Sequence, residues 1–316
     1  MAGSTPASPT VDGVVAAAPA RRPARQVTPW TEAWRRFRRH RLAVASLVVL
    51  AAMVLAVVFG PLIWTVKIND IDFAALLQGP SWSHPLGTDD LGQDLLARML
   101  YGGRISLSVG LAAMSVSVVV GTLVGAVAGM SRGSIDAALV WLIDLFLSLP
   151  QIPVLLVLIY LYRNTLTHLL GSEVGNFILI VVGIGTFRWM IVARLVRAQF
   201  FALREKEFVE AARALGASKM RLVLRHVLPN ALGPVIVAGT IDVANAIIAE
   251  STLSFLGLGF PPDTPTWGRI LFDAKDQLDT APHWALIAGG AIFITVLAIN
   301  FIGDGLRDAL DPRRVI

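Results

Sequence analysis

The chain has 316 residues, a net charge of +5 and no cysteine, and 55% of its residues are apolar while only 16% are charged. Soluble domains average about 45–50% apolar and about 25% charged residues, so the composition excludes an ordinary soluble domain. The absence of cysteine excludes disulfides, thiolate catalysis and cysteine-ligated metal sites.

The chain begins with a segment, residues 1–29, that is rich in Ala, Pro, Ser and Thr and has neither helical nor strand periodicity. This composition predicts a disordered cytoplasmic N-terminus. The next region, residues 30–104, opens with Trp30, Trp34 and Phe37 on one side of a short helix that we expect to lie at the membrane surface. Nearby arginines would favour anionic lipid headgroups: Arg35, Arg36, Arg38, Arg39 and Arg41.

Six apolar stretches are each about long enough to cross a hydrocarbon core of ~30 Å: residues 42–64, 105–130, 135–162, 177–196, 231–259 and 284–302. Backbone groups in lipid must be hydrogen-bonded internally, so each stretch is predicted to be a helix. The predicted fold class is therefore an all-α integral membrane protein with six transmembrane helices. The first helix and an outer loop complete residues 30–104, and the other five form a core over residues 105–316.

The basic residues predict the orientation. With the N-terminus inside, 20 of the 27 Lys and Arg residues lie on the cytoplasmic side, counting Arg194 at the membrane edge. This predicts that both termini are cytoplasmic, together with a charged loop at residues 201–230. The basic excess is explained by topology and does not indicate a nucleic-acid partner.

An outer segment at residues 84–106 precedes the second span. We expect Thr88 or Asp89 to cap a short helix there, and Gly102 with Gly103 to end it. Further along, Pro150 and Pro153 predict a kink in the third span.

Four charged residues fall within predicted spans, where an unpaired charge is costly: Asp144, Arg188, Asp242 and Glu250. They either line a translocation pathway and meet substrate charges, or pair with one another structurally. Both interpretations stay open from the sequence, and structural pairing is favoured.

The loop at residues 201–230 has the pattern of two short amphipathic helices joined by a glycine turn. The first places Phe208, Ala212 and Leu215 on one face. Gly216 is predicted to take a left-handed conformation and Ser218 to cap the second helix. That helix should end at Leu228, because Pro229 disfavours a helical conformation in the residue before it. Such a loop either lies on the bilayer or docks onto a soluble partner.

The order Glu210-Ala211-Ala212, Gly216, Leu228-Pro229 resembles the EAA loop of permease subunits from bacterial ATP-binding-cassette (ABC) importers. This resemblance implies that the loop is a coupling helix docked on an ATPase subunit. By this resemblance, Glu210 would supply charge and hydrogen bonds at that contact. Ala211 and Ala212 would keep the contact surface small, and Gly216 would set the bend of the loop.

Three further segments resemble the C-type permease of the dipeptide/oligopeptide/nickel importers: residues 84–106, 250–268 and 303–313. The resemblance implies a subunit of the bacterial inner membrane that forms half of a pathway for peptides. The partners it implies are a second homologous permease, two ABC ATPase subunits or domains, an extracytoplasmic binding protein and membrane lipid.

The chain contains no GxxxxGK[ST] phosphate loop and no HExxH or GxSxG motif, so we expect neither ATP hydrolysis nor another catalytic site in it. No cofactor or metal is expected in the chain, since ATP and Mg would be bound by the partner ATPases. Alternatives are import of nickel chelates or other small solutes and an ion-coupled secondary transporter. A membrane-embedded enzyme or scaffold is a further rival.

Overall fold

The computed structural model describes Gly3 and residues 29–310. Nearly all of the segment predicted to be disordered, residues 1–29, and the end of the terminal motif, residues 311–313, lie outside these residues. Within them, the regular structure is helical apart from one isolated bridge between Thr88 and Asp94. The all-α prediction is confirmed.

The first two helices are α1 (Pro29–Phe37) and α2 (Arg41–Ile63). The amphipathic lead-in is present: Trp34 stacks on Phe37, which is 4% exposed and packs with residues of α2 and of the last helix. His40 caps α2, since its Nδ1 accepts a hydrogen bond from the Ala43 N–H at 3.1 Å.

The third helix, α3 (Leu95–Met130), corrects the prediction for the outer segment. Asp94 caps it, with Oδ1 accepting the Ala97 N–H at 2.7 Å, and the helix runs through the glycine pair without a break. Gly103 is required by packing: a Cβ there would lie 2.5 Å from Val57 Cγ1. Its small size permits close approach, so it does not act as a helix end.

The predicted third span, residues 135–162, is two helices: α4 (Ser134–Ser148) and α5 (Gln151–Leu170). Leu149 between them is extended, at φ −78° and ψ 133°, because Pro150 disfavours the helical region for the residue before it. The proline therefore breaks the helix rather than kinking it, and α5 continues past the predicted end.

The predicted fourth span, residues 177–196, crosses a second break. Helices α6 (Ser172–Thr186) and α7 (Trp189–Leu203) meet at an angle of 40° around Phe187 and Arg188. Arg188 leaves the helical geometry, with φ −124° and ψ −18°.

After α7 come α8 (Glu207–Ala214), one turn of α9 (Lys219–Arg221), a π-helical turn (Leu222–Val227) and α10 (Leu228–Phe255). The prediction that Pro229 ends the second loop helix is wrong. Leu228 is helical, at φ −57° and ψ −46°, and its N–H donates to the Val223 carbonyl five residues back. A wider π turn moves the preceding carbonyls away from the proline ring, and Asn230 Nδ2 donates to the His226 carbonyl at 2.6 Å.

The chain closes with α11 (Trp267–Ala274), a 3-10 turn (Lys275–Gln277) and α12 (Pro282–Leu310). Among residues 29–310, five helical stretches are long and apolar enough to cross a membrane, and the bent pair α6–α7 makes a sixth if it counts as one span. On that count the number agrees with the prediction, although the third and fourth predicted spans are each divided into two helices. Helix α3 lies at the centre, packed against α6, α7 and α10.

Candidate functional site

The loop helix α8 is held in place by a single buried valine. Val209 is 0% exposed and packs with Val196 and Phe200 of α7 and with Leu222 and Val227 of the π turn. The face predicted from the sequence was displaced by one residue, because Phe208 and Leu215 point to the surface and Ala212 is only half-buried. Glu210 and Ala211 are exposed.

The turn after α8 has the predicted geometry. Gly216 has φ +84°, a left-handed conformation that side chains disfavour. The Ala217 N–H donates to the Ala212 carbonyl at 3.1 Å, which closes the end of the helix. Ser218 then caps α9, with Oγ accepting the Arg221 N–H at 3.3 Å. The local predictions for Gly216 and Ser218 are confirmed.

Large apolar side chains are exposed on both sides of this turn. Leu215 is 90% exposed and Met220 66%, and Phe208 and Leu224 are also exposed. We call these four residues the tip surface. Exposed charged residues accompany them, including Glu207, Glu210 and Arg213. An exposed apolar set bordered by charges is typical of a contact with another protein or with a membrane.

The tip surface is joined directly to the membrane-spanning part of the chain. From Lys219 to Phe255 the backbone is helical throughout, in three successive segments that are α-helical, π-helical and again α-helical. Leu228 and Pro229, predicted to end the loop, lie inside this continuous rod. Asp242 and Glu250 lie further along it, so Met220 and Leu224 of the tip surface share one element with two of the four charges predicted to lie in spans.

Arg188 and Asp242 form an ion pair between the α6–α7 break and α10. Both side chains are mostly buried, at 13% and 5% exposure. Asp242 Oδ2 has no hydrogen-bond partner among the described residues. The pair therefore links the bend to the rod, as the structural interpretation of these charges expected, while leaving one carboxylate oxygen unsatisfied.

Glu250 is fully buried in a cluster of hydroxyl groups. Ser254 Oγ and Thr266 Oγ1 each donate to Glu250 Oε1 at 2.8 Å, and Ser106 Oγ donates to Oε2 at 3.3 Å. Thr266 is also the N-cap of α11. The carboxyl group thereby joins α3, α10 and α11, and it makes no ion pair within residues 29–310.

Asp144 differs from the other three charged residues because its side chain is not buried. It pairs with Arg194 of α7, and both side chains are about half exposed. The structure thus brings Arg188 and Asp242 together and leaves Asp144 and Glu250 in separate environments.

Sequence reasoning missed a charged cluster between the outer loop and α11. Arg98 of α3 is 3% exposed; its guanidinium lies 3.6 Å from Asp89 and 3.9 Å from Asp273, and it donates to the Pro262 carbonyl at 3.2 Å. The cluster borders a cavity of about 460 Å³. Burial raises the pKa of both Asp89 and Asp273. The opposing effects are chiefly the Gln93 N–H hydrogen bond to Asp89 and the Arg269 hydrogen bond to Asp273. The acidic residues Asp89, Asp90 and Asp94 are the available signal, but the sequence analysis considers only Thr88 or Asp89 there, as a helix cap.

The chain matches two family descriptions. Residues 121–316 match "Binding-protein-dependent transport system inner membrane component", and residues 28–80 match "N-terminal TM domain of oligopeptide transport permease C". Together they cover most of the membrane-embedded region.

Similar curated proteins span nearly the whole chain. It is 42% identical over 287 residues to a protein named as a peptide permease in Brucella suis, covering 90% of this chain and 91% of that one. It is 37% identical over 287 residues to the dipeptide transport system permease protein DppC of Alkalihalophilus pseudofirmus, covering 91% of each.

A solved structure shares the fold at low sequence identity. The inward-facing MetNI methionine ABC transporter contains a chain that superposes with a TM-score of 0.53 at 21% identity. The superposition covers 69% of this chain and 96% of that one.

Proposed function

This chain belongs to the family of inner membrane components of binding-protein-dependent transport systems, and on that premise we propose that it forms half of a translocation pathway for peptides. The other half is a second, homologous permease. Relatives that are named for peptides or dipeptides, at 37–42% identity over about nine-tenths of the chain, support the choice of peptides over nickel chelates.

In this proposal both termini and the tip surface are cytoplasmic, and two ATPase subunits or domains bind ATP and Mg there. An extracytoplasmic binding protein delivers the peptide at the opposite side. The excess of Lys and Arg in the segments assigned to the cytoplasm supports this orientation.

The observation that carries the proposal is the continuity between the tip surface and the intramembrane ion pair. The helical rod of 37 residues from Lys219 to Phe255 is about 55 Å long, at about 1.5 Å per residue. It begins beside Gly216 and carries Asp242, the partner of Arg188. A displacement of Met220 and Leu224 would therefore reach the Asp242 contact with the α6–α7 bend along one helical element.

ATP-driven closure of the ATPases would move the tip surface and tilt the rod. For a ligand to shift a protein between two states, it must bind them with different affinities. The exposed Leu215 and Met220 and the charge of Glu210 supply contacts that can differ between the two states. The small side chains of Ala211 and Ala212 allow the ATPase to approach α8 closely, and Gly216 sets the angle between α8 and α9.

Two substitutions test the coupling. We expect Glu210→Arg and Gly216→Pro to reduce peptide uptake in proteoliposomes by at least tenfold while the subunits still insert and assemble. Glu205→Arg is the matched control, because Glu205 is equally acidic and 68% exposed but lies before α8. Normal uptake by both variants, or an equal loss in the control, would refute the coupling role.

The substrate is tested separately by competition. Uptake of a labelled dipeptide by the complete transporter should be inhibited by unlabelled di- and oligopeptides. Inhibition by a nickel chelate alone would transfer the proposal to that solute class and leave the coupling argument in place.

A further inference from the structure

A second cavity lies within the predicted membrane depth, and neither the Arg188–Asp242 pair nor the tip surface contributes to its lining. It is a groove of about 510 Å³ between α2, α3, α10 and α12. Its walls are formed by long apolar side chains such as Leu50, Leu111, Met114, Ile236 and Ile302.

The groove offers nothing to a polar ligand. Thr240 is the one hydroxyl-bearing residue in its lining, and its Oγ1 already donates to the Ile236 carbonyl at 2.9 Å. A peptide placed there would leave its backbone groups unsatisfied, at a cost of several kcal/mol per group. The chemistry of the lining therefore selects a hydrocarbon chain.

The groove is elongated. Its wall on α3 runs from Leu107 to Val118, about 16 Å at about 1.5 Å per residue. Its length and its apolar lining suit an extended hydrocarbon chain.

Arginines lie at one end of the groove. Ile302, which lines it, belongs to the same buried cluster as Phe37 of α1, and Leu50 packs against that cluster. This places α1 at the cytoplasmic end in the proposed orientation. Its neighbouring arginines are exposed and form no ion pair within residues 29–310: Arg35, Arg38, Arg39 and Arg41.

We propose that this groove binds one acyl chain of an anionic phospholipid, whose headgroup is held by the arginines around α1. The apolar lining matches the acyl chain of such a lipid, and the arginines at the end of the groove match its anionic headgroup. The inference rests on the proposed orientation of the chain in the membrane but not on the peptide substrate.

The test is lipid co-purification from membranes with defined phosphatidylglycerol and phosphatidylethanolamine content, measured by mass spectrometry on the assembled transporter. We expect phosphatidylglycerol to be enriched above its bulk fraction. Arg38→Gln with Arg39→Gln should lower that enrichment by about tenfold or more, since each arginine near an anionic surface contributes about fivefold. Arg132→Gln, an exposed arginine between α3 and α4, is the matched control.

A second variant tests the groove itself. Leu111→Trp fills it and should release the bound lipid, whereas Leu123→Trp, also exposed on α3 but outside the groove, should not. If filling the groove leaves phosphatidylglycerol enrichment unchanged, the arginines act on the bilayer surface alone and the proposal is wrong. Cysteine crosslinking of position 111 to the second permease would overturn it too, by showing a subunit interface there. Peptide uptake, measured in parallel, reports separately on the proposed function.

Discussion

At the scale of single residues, the ion pair formed by Arg188 and Asp242 connects the α6–α7 bend to α10. Both side chains are mostly buried, and each lies on a different element. Burying two charges is expensive, so removing one partner leaves the other uncompensated, at a cost of about 3–5 kcal/mol.

This predicts a specific pattern of stability. Arg188→Gln and Asp242→Asn should each lower the thermal unfolding temperature of the purified transporter, while the double variant should be less destabilised than either single variant. The matched control is Asp144→Asn, because the Asp144–Arg194 pair is about half exposed and such pairs contribute ~0–1 kcal/mol. Additive losses in the double variant would show that the two residues act independently.

The outer cluster predicts a pH dependence. Burial raises the pKa of Asp89 and Asp273 in the folded chain above the unfolded value. At a pH between the unfolded-state pKa and the folded-state pKa of each group, the folded chain binds more protons than the unfolded chain. The stability that each group contributes is therefore fully present below its unfolded-state pKa and is lost as the pH rises through its folded-state pKa. Hydrogen exchange in residues 66–94, corrected for intrinsic rates, should therefore slow on acidification from neutral pH toward pH 4. Asp89→Asn should weaken that dependence, and an unchanged profile would contradict the assignment.

At the scale of elements, α3 and α7 are in contact through glycines. A Cβ at Gly125 would lie 2.5 Å from the Ala193 carbonyl oxygen, and one at Gly121 would lie 2.6 Å from that of Trp189. These are backbone atoms, so the two helices would have to separate to admit a side chain. This spacing of small residues is used widely for close helix packing in membranes.

The packing predicts opposite effects for one substitution at two sites. Gly125→Ala should destabilise the protein by about 1–3 kcal/mol, because it overpacks the contact with α7. Gly290→Ala in α12, where a Cβ meets nothing within 4 Å, should be neutral or stabilising. Thermal unfolding of both variants measures the difference, and equal effects would show that Gly125 is not a packing contact.

Local signals in the sequence predicted the helices well but not the breaks and junctions between them. Gly216 and Ser218 were predictable because turn and cap geometry depends on neighbouring residues only. The break at Arg188 was not, since a partner on α10, 54 residues away, holds the arginine there. Pro229 was misread because the π turn before it forms against tertiary neighbours such as Val209. The glycine pair at Gly102 and Gly103 was likewise explained only by the helices packed on it.

At the scale of the whole molecule, the tip surface, the rod and the bend follow one another in space, and in the proposed orientation they lead from the cytoplasm into the membrane. Its outer end is fixed by Glu250, whose hydrogen bonds tie α10 to α3 and α11. In the proposed mechanism, a rod held at Glu250 and moved at the tip surface would tilt, and the Arg188–Asp242 contact lies between these two points. This arrangement fits a permease that alternates between two states under the control of a cytoplasmic partner.

The most direct test of that account is site-specific crosslinking of the tip surface to the ATPase subunits. The chain has no cysteine, so Leu215→Cys introduces a single reactive thiol at a position that is 90% exposed. Trp82→Cys, equally exposed in the outer loop, is the control. The account predicts that a short bifunctional reagent joins position 215, but not position 82, to an ATPase, with a yield that changes when ATP is added. The absence of any crosslink from position 215 in the assembled, active transporter would contradict it.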